Sequence, residues 1–193
     1  MLRNDKWIIE KSKEGMIVPF EKTLVRHVDE RQSISYGLSS YGYDISLSGE
    51  ELCLFKHVVG SIVNPKQFHN HVVENLSLQY DEYGSFFVLP PHSYALGKTV
   101  EKFNMPPNVM GICVGKSTYA RVGIMVNITP LEPGWKGYLT LEIANLADTD
   151  CRVYANEGIA QLLFLEGDNC LTTYSDRQGK YQEQPDAIVY AKV

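Results

Sequence analysis

The chain has 193 residues, which is one ordinary domain and too few for a multidomain machine. Hydrophobic residues make up 44% and charged residues 21%, so the chain can bury a core and is not compositionally disordered. Eighteen Lys and Arg against twenty-three Asp and Glu leave a formal charge of −5, which offers no general attraction to a phosphate backbone and argues against a nucleic-acid partner.

The first element is a short helix capped by Asn4 or Asp5 and running through Glu14, with Trp7, Ile8 and Lys11 at helical spacing and Gly15 as its stop. Beyond Ile17 the chain breaks into short runs rich in Val, Ile, Tyr, Phe and Thr, bounded by Gly, Pro, Asn and Asp. The predicted strands are Tyr43 to Leu47, Leu52 to Lys56, Phe86 to Leu89, Tyr94 to Val100, Val109 to Val114, Ile124 to Ile128, Tyr138 to Ala144 and Ile159 to Leu165. Strands at that spacing, without an internal repeat, point to a single mainly β domain over 1–193, a sandwich or barrel. A second helix is predicted at Ser117 to Val122, with Ser117 as N-cap and Gly123 after its end. There Lys116, Ser117 and Arg121 would surround a helix N-terminus suited to an anion, although a segment of little more than one turn also reads as a plain connector between strands.

The N-terminal charged run Leu2 to Lys6 is followed by no apolar core with a cleavage site, and no window approaches the roughly 20 apolar residues of a membrane helix. A cytoplasmic protein with no membrane partner is expected. Cys53, Cys113, Cys151 and Cys170 lie far apart and form no C-x-x-C pair, so all four are expected as buried, reduced thiols.

The candidate chemistry lies in the strand that follows the turn Glu132-Pro133-Gly134-Trp135. Leu139, Leu141 and Ile143 alternate onto one face, and Tyr138, Thr140, Glu142 and Ala144 onto the other. If that second face is solvent, Glu142 is a surface charge; if a neighbouring segment closes it into a pocket, the carboxylate becomes a candidate for general acid/base catalysis.

The runs Gly115 to Arg121, Asn127 to Pro130, Glu132 to Trp135 and Thr140 to Glu142 resemble the dCTP deaminases. So do Ile34 to Asp44, Pro90 to Ser93, Tyr154 to Gln161, and Tyr174 through Gln182, so that the likeness spans nearly the whole chain. That resemblance implies a distorted β-barrel of the trimeric dUTPase-like (β-clip) type with about two short helices, and a homotrimer with active sites between subunits. It matches Glu142 to the catalytic carboxylate, and Ser117 and Arg121 to residues that organise water and substrate. Lys116, Ser117, Thr118, Tyr119, Ala120 and Arg121 match the loop at the triphosphate and base. Thr140 and Leu141 match base-binding strand positions, and Gln161, Tyr174, Lys180 and Gln184 match positions that grip phosphates and sugar. Asp44 resembles the aspartate of the first dUTPase motif but reads equally as a satisfied structural residue. The implied reaction is hydrolytic deamination of dCTP to dUTP and ammonia, feeding dUMP and thymidylate synthesis, with dTTP as feedback inhibitor.

In this reading the substrate triphosphate carries Mg²⁺, and no resident metal is expected. Zinc deaminases hold their metal with a His or Cys and a C-x-x-C pair. Here His69 and His71 are the only close pair, in the polar stretch Asn64 to Asn75, which reads as a solvated loop. Water activation then falls to Glu142, with the Ser117 hydroxyl and carbonyls near Thr129. Trp135, at the tip of the predicted hairpin, is the expected apolar wall against a ribose hydroxyl. Two alternatives stay open: a bifunctional enzyme that carries dCTP on to dUMP and pyrophosphate, and a non-catalytic nucleotide-sensing β protein. The first is disfavoured because related dUTPases carry Asp-Ala-Gly where this chain has Glu132-Pro133-Gly134.

Overall fold

In the computed structural model, which describes residues 1–193, helix α1 (Asp5–Lys13) opens where the Asn4 side-chain oxygen accepts the Trp7 N–H at 3.3 Å. It stops at Gly15, whose φ of +91° favours a residue without Cβ. Its apolar face sinks Ile8 fully into the core and brings Trp7 against Phe164.

The strands are β1 (Ile17–Val18), β2 (Leu24–Val28), β3 (Arg31–Ser39), β4 (Gly42–Phe55), β5 (Val73–Asn75), β6 (Gln79–Asp81), β7 (Gly84–Leu89), β8 (Ser93–Asn104), β9 (Val109–Gly115), β10 (Ile124–Asn127), β11 (Lys136–Asn145), β12 (Cys151–Tyr154) and β13 (Gly158–Glu166). Helix α2 (Ser117–Ala120) links β9 to β10, and a 3₁₀ turn (Asn70–Val72) precedes β5. Every strand pair is antiparallel. The main sheet runs β10-β11-β8-β4-β13-β9, with β1 added to β8, β3 and β5 to β4, and β2 to β3; β12-β7-β6 form a second, small sheet. The result is mainly β, a sheet curled into a half-barrel, as the resemblance implies.

The curl has local causes in the register breaks at Leu47/Leu52 and Tyr138/Thr140, where the ladders skip and the strands bend. The two strands expected at Tyr43 to Leu47 and Leu52 to Lys56 are one, β4. Its first part pairs with β13 and its last part with β8 and β5, and the polar Ser48-Gly49-Glu50 stretch that looks like a strand break is the bend between them. Leu139, Leu141 and Ile143 are buried as the alternation in β11 requires, in one core with Phe87, Phe103 and Phe164.

After β13 the chain forms no further helix or strand and lies back across the sheet. Tyr174 N–H donates to Pro133 O at 2.9 Å, Tyr138 N–H to Gln184 O at 3.1 Å, and Ile188 N–H to Glu51 Oε1 at 2.5 Å. The fully buried Lys98 ion-pairs with Glu50 and with Asp186 of this tail. Gly137, at φ +144°, makes the docking possible, because a Cβ there would stand 2.5 Å from Gln184 N. All four cysteines are free, but only Cys53 is fully buried, and Cys170 is exposed because it sits in the tail with no strand to cover it. No helix is long and apolar enough to cross a membrane.

Candidate active site

Strand β11 holds Thr140 and Glu142 on the face away from the core, and that face is partly covered. It forms one wall of a mostly apolar cavity of about 590 Å³, within the range of small-molecule sites. The loop after β10 supplies Thr129, Pro130 and Glu132, and the tail supplies Tyr174, Tyr181 and Gln184. Glu142 is half-buried, and its Oε2 accepts a hydrogen bond from Asn127 Nδ2. Thr140 Oγ1 accepts from Gln184 Nε2 at 2.5 Å and from Val189 N–H at 3.3 Å, so the tail is tied to the strand two residues from the carboxylate. The Tyr94 phenol is held above its ordinary pKa by burial and then by the Glu142 charge, and stays protonated beside it.

Glu132 is a second carboxylate on this cavity and lies 3.4 Å from Arg177; in the sequence it reads only as part of a turn. An aromatic wall is also new. Phe68 stacks on Tyr190 with centroids 4.9 Å apart, and Phe55 meets Tyr94 at 5.3 Å. The stretch Asn64 to Asn75 is thus not solvated throughout: His69 and His71 are exposed, whereas Phe68 turns inward and Val72 is buried. A lone aromatic among Asn, Pro, Lys and His was the one signal for that wall. Trp135 is no wall at an exposed tip. It is 6% exposed, with its indole N–H donating to Tyr181 O at 2.8 Å, and it reaches the cavity from within the core.

A second group of expected residues gathers elsewhere, on β13, β4 and the end of β9. Lys116 ion-pairs with the buried Asp44, and Gln161 Nε2 donates to Asp44 Oδ1 at 2.9 Å and to Ser39 Oγ at 3.0 Å. Asp44 is therefore a satisfied residue that orients Lys116 and Gln161. Ser117 is the first residue of α2 and not its cap. Lys116 occupies the cap position and makes no side-chain capping bond, since an ammonium has no acceptor to offer the helix N–H groups; it ion-pairs with Asp44 instead. Ser117, Thr118, Ala120 and Arg121 are exposed. Tyr119 points into the core, where its hydroxyl accepts the Tyr154 N–H at 2.8 Å. Leu141 is likewise fully buried and does not line the cavity. Lys180 lies exposed on the tail, with its ammonium 5.3 Å from the Tyr181 ring and bonded to Lys192 O at 2.7 Å.

One chain does not bring these two groups together. Asn127 pairs with Glu142 at one end of β10 and Ile124 with Asn145 at the other. Three strand residues span about 10 Å, and Arg121 lies beyond Ile124, so it stands at the far end of the strand from Glu142.

A curled antiparallel sheet with a carboxylate on the wall of an open cavity and a separate cluster of polar and cationic side chains defines a mainly β protein with a small-molecule-sized pocket. Residues 3–167 match the family model described as dCTP deaminase-like. The chain is 53% identical over 186 residues to the dCTP deaminase of Sulfurovum sp., covering 95% of this chain and 93% of that protein. It is 50% identical over 185 residues to the dCTP deaminase of Acidithiobacillus ferrooxidans, covering 95% of each. Its fold is shared with the crystal structure of 2′-deoxycytidine 5′-triphosphate deaminase from Agrobacterium tumefaciens, at 17% identity and a TM-score of 0.58 over 89% of this chain; the chain spans about half, 49%, of that longer one. This chain belongs to the dCTP deaminase family.

Proposed function

We propose that the protein deaminates dCTP hydrolytically to dUTP and ammonia, with Glu142 as the group that moves protons. The observation that carries the reading is Glu142 itself, a half-buried carboxylate on the wall of a small-molecule-sized cavity in a chain of this family. A water adds its oxygen to C4 of cytosine while Glu142 takes its proton. The carboxylic acid delivers that proton to N3, and the amino group leaves C4 as ammonia after a further proton transfer. Glu142 ends ionised as it began, so dCTP and water become dUTP and ammonia with no redox step. The Ser117 hydroxyl and the carbonyls near Thr129 hold the water.

The mostly apolar cavity suits a pyrimidine and not a triphosphate, so the phosphates must leave it toward cations. Lys116 and Arg121 are those cations, and they stand with Gln161 outside the Glu142 cavity of their own chain. A homotrimer in which one protomer supplies Glu142, Thr140, Tyr174 and Gln184 and its neighbour supplies Lys116 through Arg121 completes the site. The outward residues of β9, Met110, Ile112 and Val114, form an exposed apolar stripe suited to such packing. Mg²⁺ arrives with the triphosphate as part of the substrate, and Lys180 on the tail adds a further cation. The protein so read is a single cytoplasmic domain that feeds dUMP synthesis without zinc. dTTP, with the same triphosphate and a C4 carbonyl like the product's, is the feedback ligand.

Incubation with dCTP and Mg²⁺, followed by separation of all nucleotides, tests the reading. dUTP and ammonia in equal amounts are expected. Accumulation of dUMP and pyrophosphate would establish the bifunctional alternative, and dCTP bound but unchanged would establish a sensor.

A further inference from the structure

We infer that Asn127 is the positioning residue for Glu142, holding one carboxylate oxygen so that the other faces the substrate; as a claim about turnover this rests on the deaminase reading. Asn127 is the last residue of β10 and pairs directly with Glu142 of β11, a register that puts the two side chains side by side. Its amide donates to Glu142 Oε2, and Glu142 Oε1 receives no hydrogen bond from the chain. A carboxylate on a bare strand can rotate about its last bonds. Tied at Oε2, it presents Oε1 in one orientation, which is the geometric demand of a group that must meet a water, then N3, then the leaving amine.

The chemistry of the amide suits the task. Its Nδ2 donates and does not take up a proton near neutral pH, so it steadies Glu142 without competing for the proton that Glu142 shuttles. No other side chain around Glu142 is hydrogen-bonded to it. Leu96 lies opposite it on β8 and Ala144 follows it on its own face, and neither is polar. Thr140 Oγ1 accepts from Gln184 and Val189 and makes no hydrogen bond to Glu142. Tyr94, the other titratable neighbour, donates no hydrogen bond to Glu142. Asparagine is also a poor strand former, so packing gives no reason for it at this position.

Three substitutions separate positioning from bulk. Asn127→Ala removes the donor and should lower kcat for dCTP about 10- to 100-fold while leaving KM within about twofold. Asn127→Asp keeps the shape but sets a second carboxylate beside Glu142, and should be worse than alanine. Asn127→His should recover most of the loss, because its Nδ1 stands the same number of bonds from Cβ as the lost Nδ2. In a Glu142→Gln background Asn127→Ala should cost nothing further. An aspartate variant as active as wild type, or an alanine variant altered in KM alone, would overturn the inference. The contact is also read without turnover, from the Asn127 side-chain amide signals in ¹⁵N-labelled protein. Glu142→Ala should shift them, and signals indifferent to that change would sink the inference whatever the enzyme does. A wild-type protein that leaves dCTP intact while the amide still responds to Glu142 would remove the deaminase reading alone.

Discussion

Glu142 faces its cavity from a strand whose other side is core, and an isosteric amide is the cleanest probe of what its charge does there. Glu142→Gln should preserve assembly and dCTP binding by calorimetry while lowering turnover by about 10² to 10⁴, because the amide keeps the shape and accepts no proton. Near-normal turnover would remove it from the mechanism. Arg121 offers a planar fork of donors that an ammonium cannot reproduce, so Arg121→Lys should damage kcat/KM despite the conserved charge; equal activity would reduce Arg121 to a diffuse field. Trp135 shows where residue-level reading fails. An aromatic in a turn looks like a ligand-stacking ring, yet its indole is bonded to the tail and almost wholly buried. Trp135→Ala should therefore cost about 3 to 5 kcal/mol of stability, as other large core truncations do, with any change in dCTP over CTP selectivity following from the loosened tail.

Among the elements, β8 carries a feature unrelated to the cavity. Glu101 is 2% exposed, makes no ion pair, and accepts the Ser46 N–H at 3.0 Å; burial lifts its carboxyl to about 7. Between about pH 4.5 and 7 the native chain keeps this proton while the unfolded chain, with an ordinary carboxyl, has released it. Stability contributed by Glu101 accordingly falls as pH rises through that window and stays low above it. Glu101→Gln should flatten the slope and raise stability at pH 8 by up to about 3 kcal/mol relative to wild type, measured as urea midpoints at pH 5 and pH 8. A variant with the same slope as wild type would assign the pH dependence to other groups. The elements themselves were legible where one face is buried, since alternation in β11 or the apolar runs of β9 and β13 survive in the chain as pattern. The strands β1, β2, β5, β6 and β12 were not, because their own residues are too few to declare a period, and the nine-residue β3 was not because it is too polar.

At the scale of the whole molecule, the separation of the Glu142 cavity from the Lys116 to Arg121 cluster leads to a complementation experiment. If the site is shared between protomers as proposed, Glu142→Gln and Arg121→Ala proteins, each expected to be impaired alone, should regain activity when dissociated together and reassembled, since a mixed trimer would hold a site with both wild-type halves. Lasting inactivity of the mixture would place both residues in a site built by one chain. Cys53, Cys113, Cys151, Cys170, His69 and His71 are not gathered into a metal-holding set, so activity should survive a strong zinc chelator once Mg²⁺ is restored. Stoichiometric zinc that tracks activity would contradict this.

The sequence alone determined the β class, the helix α1 with its cap and stop, the alternating faces of β11 and the motifs that place the chain in its family, because each of these is written in local spacing and residue type. Tertiary structure decided whether Glu142 sees water or a cavity, since its enclosure comes from a tail about forty residues further on and a loop about seventy residues earlier. It also paired Lys116 with Asp44, sank Trp135, and set Asn127 against Glu142. Those are contacts between residues remote in the chain or on different strands, and no local period records which strand will lie beside which.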